Sequence, residues 1–357
     1  MKSSFKIGSL VIAVCIAILM LPGCGTSSEE AETRIIVDIT GAEIEIPTKV
    51  KKVINLNSFA CQIMIGLDLE DYLVGVSEDT FETSWLELMC PEAKDIPQYT
   101  DETAAETLLA ANPDIVFSQD PDVAEDLRSK GVPCATFAYL TIDDFKFNMS
   151  LIGDILGGEA KEKCDRYNAY LDEKIADVES TLSGVVTEKE TMHYINANSD
   201  KGFYKTAGSE STTDYCAKFS YVDLATAPLI AFPESKVDAE ALLATNPENV
   251  IIGGRYQHVI YDDLFAADEW QHISAVENGN VFKIPMGLSA WNRYSLETAL
   301  LIPWTASVIY PEYYKFDAVN EIIEFYKTFM DYELSAEQAE FMIAGLTPSG
   351  EKEIASR

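Results

Sequence analysis

The chain is poor in histidine, in basic residues and in paired cysteines, and each shortage closes off a class of function. Only His193, His258 and His272 occur in 357 residues, and no two have metal-ligand spacing. No metal centre built from several imidazoles is expected. The seven cysteines form no CxxC pair, and with Cys15 and Cys24 near the N-terminus set aside an odd number remains: Cys61, Cys90, Cys134, Cys164 and Cys216. No zinc or dithiol redox site is expected from them. They read as buried small hydrophobes, with a disulfide left open in an exported chain. Lysine and arginine number 26 against 59 aspartates and glutamates, a net charge of −33. Such a surface favours solubility and argues against nucleic acid or anionic lipid as a partner, but it says nothing of fold. Catalytic signatures are missing too: there is no GxSxG elbow, HExxH, Walker A loop or dinucleotide glycine pattern. Gly208-Ser209-Glu210-Ser211 reads as a loop, and no enzyme is expected.

What is present begins at the N-terminus. Lys2 and Lys6 lead an apolar run from Ile7 to Leu21, which closes at Leu21-Pro22-Gly23-Cys24. A charged start, a short apolar core and small residues at the end read as a secretory signal. A membrane-spanning helix needs about 20 apolar residues, more than this run offers. The cysteine directly after glycine resembles the bacterial lipobox, which implies that Cys24 carries a lipid and starts the mature chain. Residues 25–33 are polar and suit a flexible tether. Loss of residues 1–23 removes two lysines and no acid, taking the charge to about −35. The remainder is long enough to bury a large core in one or two domains.

Along the rest of the chain, short β-rich runs alternate with helical ones. Residues 52–56, 72–76 and 114–117 read as buried strands, and the alternation implies a mainly parallel sheet. A repeat carries more information. Residues 105–116, Ala-Glu-Thr-Leu-Leu-Ala-Ala-Asn-Pro-Asp-Ile-Val, recur 134 positions later as Ala-Glu-Ala-Leu-Leu-Ala-Thr-Asn-Pro-Glu-Asn-Val at 239–250. Each copy predicts a short helix that stops at Asn-Pro, because proline disfavours helical geometry in the residue before it, and then a strand. Two distant copies imply two similar lobes rather than a solenoid. Between them, residues 160–182 lack Gly and Pro and carry Tyr167, Tyr170, Leu171, Ile175 and Val178 at helical spacing. At 1.5 Å per residue this helix spans roughly 35 Å, enough for a stiff spacer between lobes. Residues 318–329 predict another helix, and Ser335 with Gln338 predicts a capping box that starts a further one.

Several of these segments resemble the periplasmic-binding family that serves ABC importers of iron-siderophore, haem and cobalamin. The opening from Asp38 to Pro47 and from Val50 to Ile54 is similar to the family's first strands. The paired Glu-x-Leu-Leu-Ala-x-Asn-Pro segments match its lobe motif. Trp270 with Asn278-Gly279-Asn280-Val281-Phe282, and then Trp304, Tyr310-Pro311-Glu312 and Phe325-Tyr326, follow its C-terminal pattern. The resemblance covers 36–343. It implies an α/β fold of two lobes with mainly parallel sheets, joined by one long rigid helix, with the ligand cleft between them. The divisions expected are a signal at 1–23, a tether at 24–33, an N-terminal lobe at 34–143, an inter-lobe helical segment at 144–184, a C-terminal lobe at 185–345 and a tail at 346–357. The resemblance further implies a glutamate on each lobe that docks on permease arginines, at Glu106 and Glu240. The partners would be a permease and ATPase complex, a small-molecule ligand and, through Cys24, the membrane; a monomer and no resident cofactor are expected.

Ligand contacts are expected on loops after the strands. In the first lobe these are Asn57, Ser58, Glu78, Asp79, Gln119 and Tyr139; in the second, Asn196, Asn198, Arg255, Tyr256 and the segment 287–293 with Trp291, Asn292 and Arg293. Arginine binds carboxylates and oxyanions through two parallel bonds, and Trp291 and Tyr256 offer flat faces for stacking. The site expected is Asn57, Ser58, Tyr139, Arg255, Tyr256, Trp291 and Arg293. A haem would take one axial ligand, such as Tyr139, Tyr256, His258 or Met286. Within the implied family a ferric siderophore leads, followed by corrinoid or haem and then an oxyanion such as molybdate. An anchored extracellular hydrolase is the alternative from another class.

Overall fold

A computed structural model describes residues 32–81, 83–197, 202–291 and 294–352. Cys24, Asn198, Asn292 and Arg293 lie outside the described residues. The described chain opens with an antiparallel hairpin of β1 (Thr33–Val37) and β2 (Glu43–Pro47). Its turn is organised by Asp38. One carboxylate oxygen accepts from the Thr40 amide and hydroxyl and the Ala42 amide, and the other accepts from the Thr136 amide at 2.9 Å.

The first lobe is a parallel sheet of β3 (Val53–Asn55), β4 (Leu73–Ser77), β5 (Gln98–Tyr99), β6 (Ile115–Ser118) and β7 (Cys134–Thr136), in the order β5-β4-β3-β6-β7. The second is a parallel sheet of β8 (Thr191–Asn196), β9 (Asp223–Leu224), β10 (Asn249–Gly253) and β11 (Val281–Lys283), in the order β11-β10-β8-β9. Both faces of these sheets are covered, which is why the strands read as near-continuous apolar runs. Alternation still sorts the side chains. Val53, Ile115, Phe117, Met192, Tyr194 and Ile251 enter one core that spans both lobes. Their neighbours turn the other way: Ile54 and Val116 pack with Leu108 and Leu127, while Ile195, Val250 and Ile252 pack with Leu242 and Trp270. The five described cysteines are buried and form no disulfide.

The two repeats fold alike. Helices Ala105–Ala110 and Ala239–Thr245 each lead into a sheet strand, β6 and β10. The stop is made by Asn112 and Asn246, at φ 52° and 47°, a left-handed turn that asparagine tolerates better than most residues. The acid after each Asn-Pro ties down the start of a neighbouring strand. Asp114 accepts the Lys51 and Lys52 amides at 2.7 and 2.9 Å, and Glu248 accepts the Thr191 amide at 2.8 Å.

The helix predicted at 160–182 runs from Gly158 to Leu182. It buries Tyr167, Leu171 and Val178 and half-buries Tyr170 and Ile175. The Tyr167 hydroxyl donates to the carbonyls of Ser295 and Leu296 at 3.3 and 2.8 Å, fastening the spacer to the second lobe just before helix Thr298–Ile309. Its ring meets Phe145 and Phe329 edge-on, at 6.0 and 5.6 Å between centroids. The C-terminal helices run from Ala318 to Met330 and from Ala336 to Ile343, the latter with the expected Ser335 and Gln338 capping box. Side chains of the first lobe also reach the second directly. Thr83 Oγ1 donates to the carbonyls of Gly287 and Leu288 at 2.8 and 3.1 Å, and Trp85 Nε1 donates to Leu346 O at 2.8 Å. Each such bond contributes about 1 kcal/mol net. Together with the shared core they make the junction between the lobes a packed interface.

Candidate functional site

In an open parallel sheet, the loops after two adjacent strands diverge where the winding reverses, and ligands bind in that crevice beyond the carboxyl ends. In the first sheet the chain steps from β3 out to β4 and β5, then returns to the other side of β3 for β6 and β7, so the reversal lies between β3 and β6. In the second sheet β9 lies on one side of β8 and β10 on the other, so the reversal lies between β8 and β10. The carboxyl ends of the two sheets face each other. Thr83, after β4, touches Gly287 and Leu288, after β11. Tyr139, after β7, reaches Tyr294 O at 3.4 Å.

The N-lobe crevice is a cavity of about 350 Å³ at that reversal. Leu56 and Ser58 line it after β3, Ser77 at the end of β4, Thr100 after β5 and Gln119 after β6. Four carboxylates complete the lining: Glu78, Asp79, Asp101 and Glu102. Burial and the neighbouring Asp120 charge push the Asp101 carboxyl above its ordinary value, against a weak bond from Ser118.

Asn57 is buried and engaged in the fold. Its Oδ1 caps helix Ser58–Gly66 by accepting the Phe59 and Ala60 amides, and its Nδ2 donates to Phe137 O at 2.9 Å. Ser58, the next residue, is half-buried in the crevice wall. Tyr139 is half-buried at the base of the cleft, 5.7 Å from Phe145 and 5.8 Å from Tyr294 between ring centroids.

On the second lobe the reversal is flanked by Asn196, at the end of β8, and by Arg255 and Tyr256, after β10. The Tyr256 amide donates to Ala197 O at 2.8 Å, drawing the two loops together. Three of the four described arginines serve the fold. Arg34 donates to the carbonyls of Asp154 and Ile155, Arg128 to Cys134 O, and Arg166 to Thr328 O. Arg255 is exposed and has no ion-pair or hydrogen-bond partner among the described residues. Tyr256 is half-buried at the start of helix Gln257–Ala266.

The loop after β11 is held from inside by Glu297, which is wholly buried. Its carboxylate accepts the Leu288 amide at 2.6 Å, the Tyr326 hydroxyl at 2.8 Å and the Ser295 hydroxyl at 2.9 Å. Burial pushes this carboxyl up, against those donors. A Cβ at Gly287 would overlap the Tyr326 hydroxyl, so glycine is required there. Trp291 is fully buried beside Met192, Ile251 and Leu301, and its indole N–H has no partner among the described residues.

The family profile described as periplasmic binding protein matches residues 53–287. The chain belongs to the periplasmic binding protein family. It is a solute-binding protein of an ABC transporter, works outside the cytoplasm, and has a permease with its ATPase and a small molecule as partners. No curated protein matches it. Among solved structures it is similar to a periplasmic solute-binding protein from Veillonella parvula, with 22% identity, a TM-score of 0.73, and 87% of this chain and 97% of that one covered. It is also similar to the molybdate-binding protein MolA from Haemophilus influenzae, with 20% identity, a TM-score of 0.71 and coverage of 85% and 99%. A third likeness is to CeuE from Helicobacter pylori in complex with nickel and histidine, with 23% identity, a TM-score of 0.69 and coverage of 87% and 99%. At these identities the likeness establishes the fold.

The remaining candidates are placed as follows. Glu106 and Glu240 are both exposed in the first turn of the two repeat helices. His258, expected as a possible axial ligand, is buried and bonded to Gly345 O at 2.8 Å, and Met286 is buried, so neither faces the cleft. Burial and the lysines nearby hold His258 below its usual value. Among the described residues no group of His, Cys, Asp and Glu is arranged to hold a metal, and no helix is long and apolar enough to cross a membrane.

Sequence reasoning missed Asp101, Glu102 and Glu297. The first two follow a strand of two residues, too short to show any alternation. Glu297 is a lone acid just before an apolar helix, and that isolation was the available signal.

Proposed function

We propose that this chain captures an iron chelate between its lobes and delivers it to an ABC permease, tethered outside the cell membrane through lipid on Cys24. The observation that carries the reading is Arg255: an exposed arginine without a partner among the described residues, at the C-lobe reversal point, in a chain whose other described arginines all serve the fold. An unpartnered guanidinium at such a place is a donor fork waiting for a ligand oxygen. Ser58 and Gln119 present polar side chains from the opposite reversal point, while Tyr139 and Tyr256 supply phenol faces. Asn57 and Trp291 shape the walls from beneath, and Arg293 would reinforce Arg255. Glu106 and Glu240 are the docking residues, one on each lobe. Corrinoid or haem is the second reading, favoured by the half-buried Tyr256 ring beside Arg255.

The test is optical titration of the purified protein with a ferric siderophore, haemin and cyanocobalamin, with tryptophan fluorescence read alongside. Saturable binding of the ferric complex, weakened more than about tenfold in Arg255→Ala by loss of a charged bond, supports the reading. Saturable binding of haemin or the corrinoid alone moves the assignment to that ligand. Binding of a chelate that is indifferent to Arg255→Ala overturns the site.

A further inference from the structure

The two walls of the cleft carry different charge. Glu78, Asp79, Asp101 and Glu102 stand around one cavity at the N-lobe reversal point, with no lysine or arginine in its lining. None of the four forms an ion pair among the described residues, although most lysines elsewhere in the first lobe and the spacer helix find an acid, as Lys94 does with Glu87 and Lys146 with Asp172. The site is defined by the two winding reversals and the facing carboxyl ends; the carboxylates set the potential within it. Unpaired like charges in a concave wall focus a negative potential, attract cations and make an anion pay for repulsion as well as desolvation. Among the described residues the opposite wall offers an unpartnered cation, Arg255.

We propose that the cleft selects a chelate of net positive charge, with its cationic part against Glu78, Asp79, Asp101 and Glu102 and a single anionic or carbonyl oxygen on Arg255. This rests on the iron-chelate reading above and narrows it. A ferric trihydroxamate with a free ammonium group has this character. A ferric tris-catecholate, with three negative charges, does not, and neither does a bare oxyanion. Within the fold, the four N-lobe acids set the sign of the ligand and Arg255 sets which end points to the second lobe.

The experiment compares three probes on the full-length protein by tryptophan fluorescence: a ferric trihydroxamate bearing an ammonium group, its N-acetylated neutral form, and a ferric tris-catecholate. The cationic form is expected to bind at least about tenfold tighter than its acetylated twin, and the tris-catecholate weaker still. The preference should shrink at high salt, where exposed charges are screened. In the variant Glu78→Gln, Asp79→Asn, Asp101→Asn, Glu102→Gln the cationic and neutral forms should bind within about threefold of each other, because the attraction has been removed while the cavity keeps its size. All four side chains are exposed, so the variant is expected to fold, and an unchanged circular dichroism spectrum checks this. Equal or tighter binding of the tris-catecholate, or a cation preference that survives neutralisation, overturns the charge selection while leaving chelate capture intact. Failure of all three probes to bind overturns the chelate reading, and the charge selection falls with it.

Discussion

In the first lobe the repeated unit leads from Glu106 through Asn112 to Asp114 and β6; in the second it leads from Glu240 through Asn246 to Glu248 and β10. The backbone device is the same in both: an exposed glutamate in the first helical turn, a left-handed asparagine, then an acid that holds the first amides of the adjoining strand. Beyond the strand the lobes part. After β6 comes Gln119, beside an acidic crevice; after β10 comes Arg255, beside the Tyr256 ring. The shared part is what builds the sheet, and the divergent part is where the proposed ligand contacts lie. A duplicated scaffold can thus carry different residues after equivalent strands without altering the unit that builds it.

The largest effect expected concerns the shared part. Glu106→Ala with Glu240→Ala should cut transport by more than about a hundredfold with ligand affinity unchanged, because on the docking proposal each removes a charge that would pair with the permease. Uptake by membrane vesicles, set beside the dissociation constant, measures this. Single variants sharpen the comparison: equal losses mean the lobes dock alike, and loss of affinity in either places that glutamate in the cleft.

A smaller effect separates the lobes by pH. His193, buried on β8 with one ring nitrogen 2.9 Å from Phe203 O, is held by burial at a pKa of about 4, below the ordinary imidazole value of 6.5. Between those values the unfolded chain binds a proton that the folded chain refuses, so stability is full above pH 6.5 and falls as pH drops toward 4, by up to about 3 kcal/mol. In the first lobe the Asp38 carboxyl is also held below its ordinary value, but for an acid this stabilises the fold. Burial pushes its carboxyl up, but the Thr40 hydroxyl and the amides of Thr136, Ala42 and Thr40 outweigh this and hold it below 3.8. Its contribution is present above pH 3.8 and is lost only as pH falls through the lower folded value. Urea unfolding across this range should therefore show an early loss that His193→Gln abolishes and Asp38→Asn does not. A pH profile untouched by His193→Gln would mean that the imidazole takes its proton without unfolding.

The smallest effect tests whether the two asparagines are equivalent. Asn112→Ala and Asn246→Ala should each cost about 1 kcal/mol, since alanine resists the left-handed turn, and glycine at either position should cost less. Denaturant midpoints measure this. A large cost at 246 alone would be traced to the bond from Asn246 Nδ2 to Ser274, which Asn112 lacks.

Much of this was legible in order along the chain. The strands at 53–55, 73–77 and 115–118 lie within or one residue beyond their apolar runs, and the spacer helix begins two residues before its predicted start. The Asn-Pro stop was legible too, though its physical basis is the left-handed asparagine as much as the proline. The site was less so. Ser58, Gln119 and Arg255 stand just after strands, where the sequence placed them. Asn57 followed the same rule, yet its amide serves as a helix cap. Trp291 was expected to offer a flat face for stacking, and its indole is buried beside Met192 and Ile251.

What the sequence by itself determined was everything that recurs locally: helical and strand periods, capping residues, the repeat, and through these two α/β lobes with a stiff link. Those depend on neighbours a few positions away, and periodicity records them. What only the tertiary structure decided was which loops meet. Glu78, Asp79, Asp101, Glu102 and Gln119 come from three separate strand ends and converge because the winding of the sheet reverses there. Glu297 joins Leu288, Ser295 and Tyr326 because a buried carboxylate must find donors wherever the packing supplies them. Strand order and burial are properties of the packed chain, set by contacts between distant residues that no local pattern encodes.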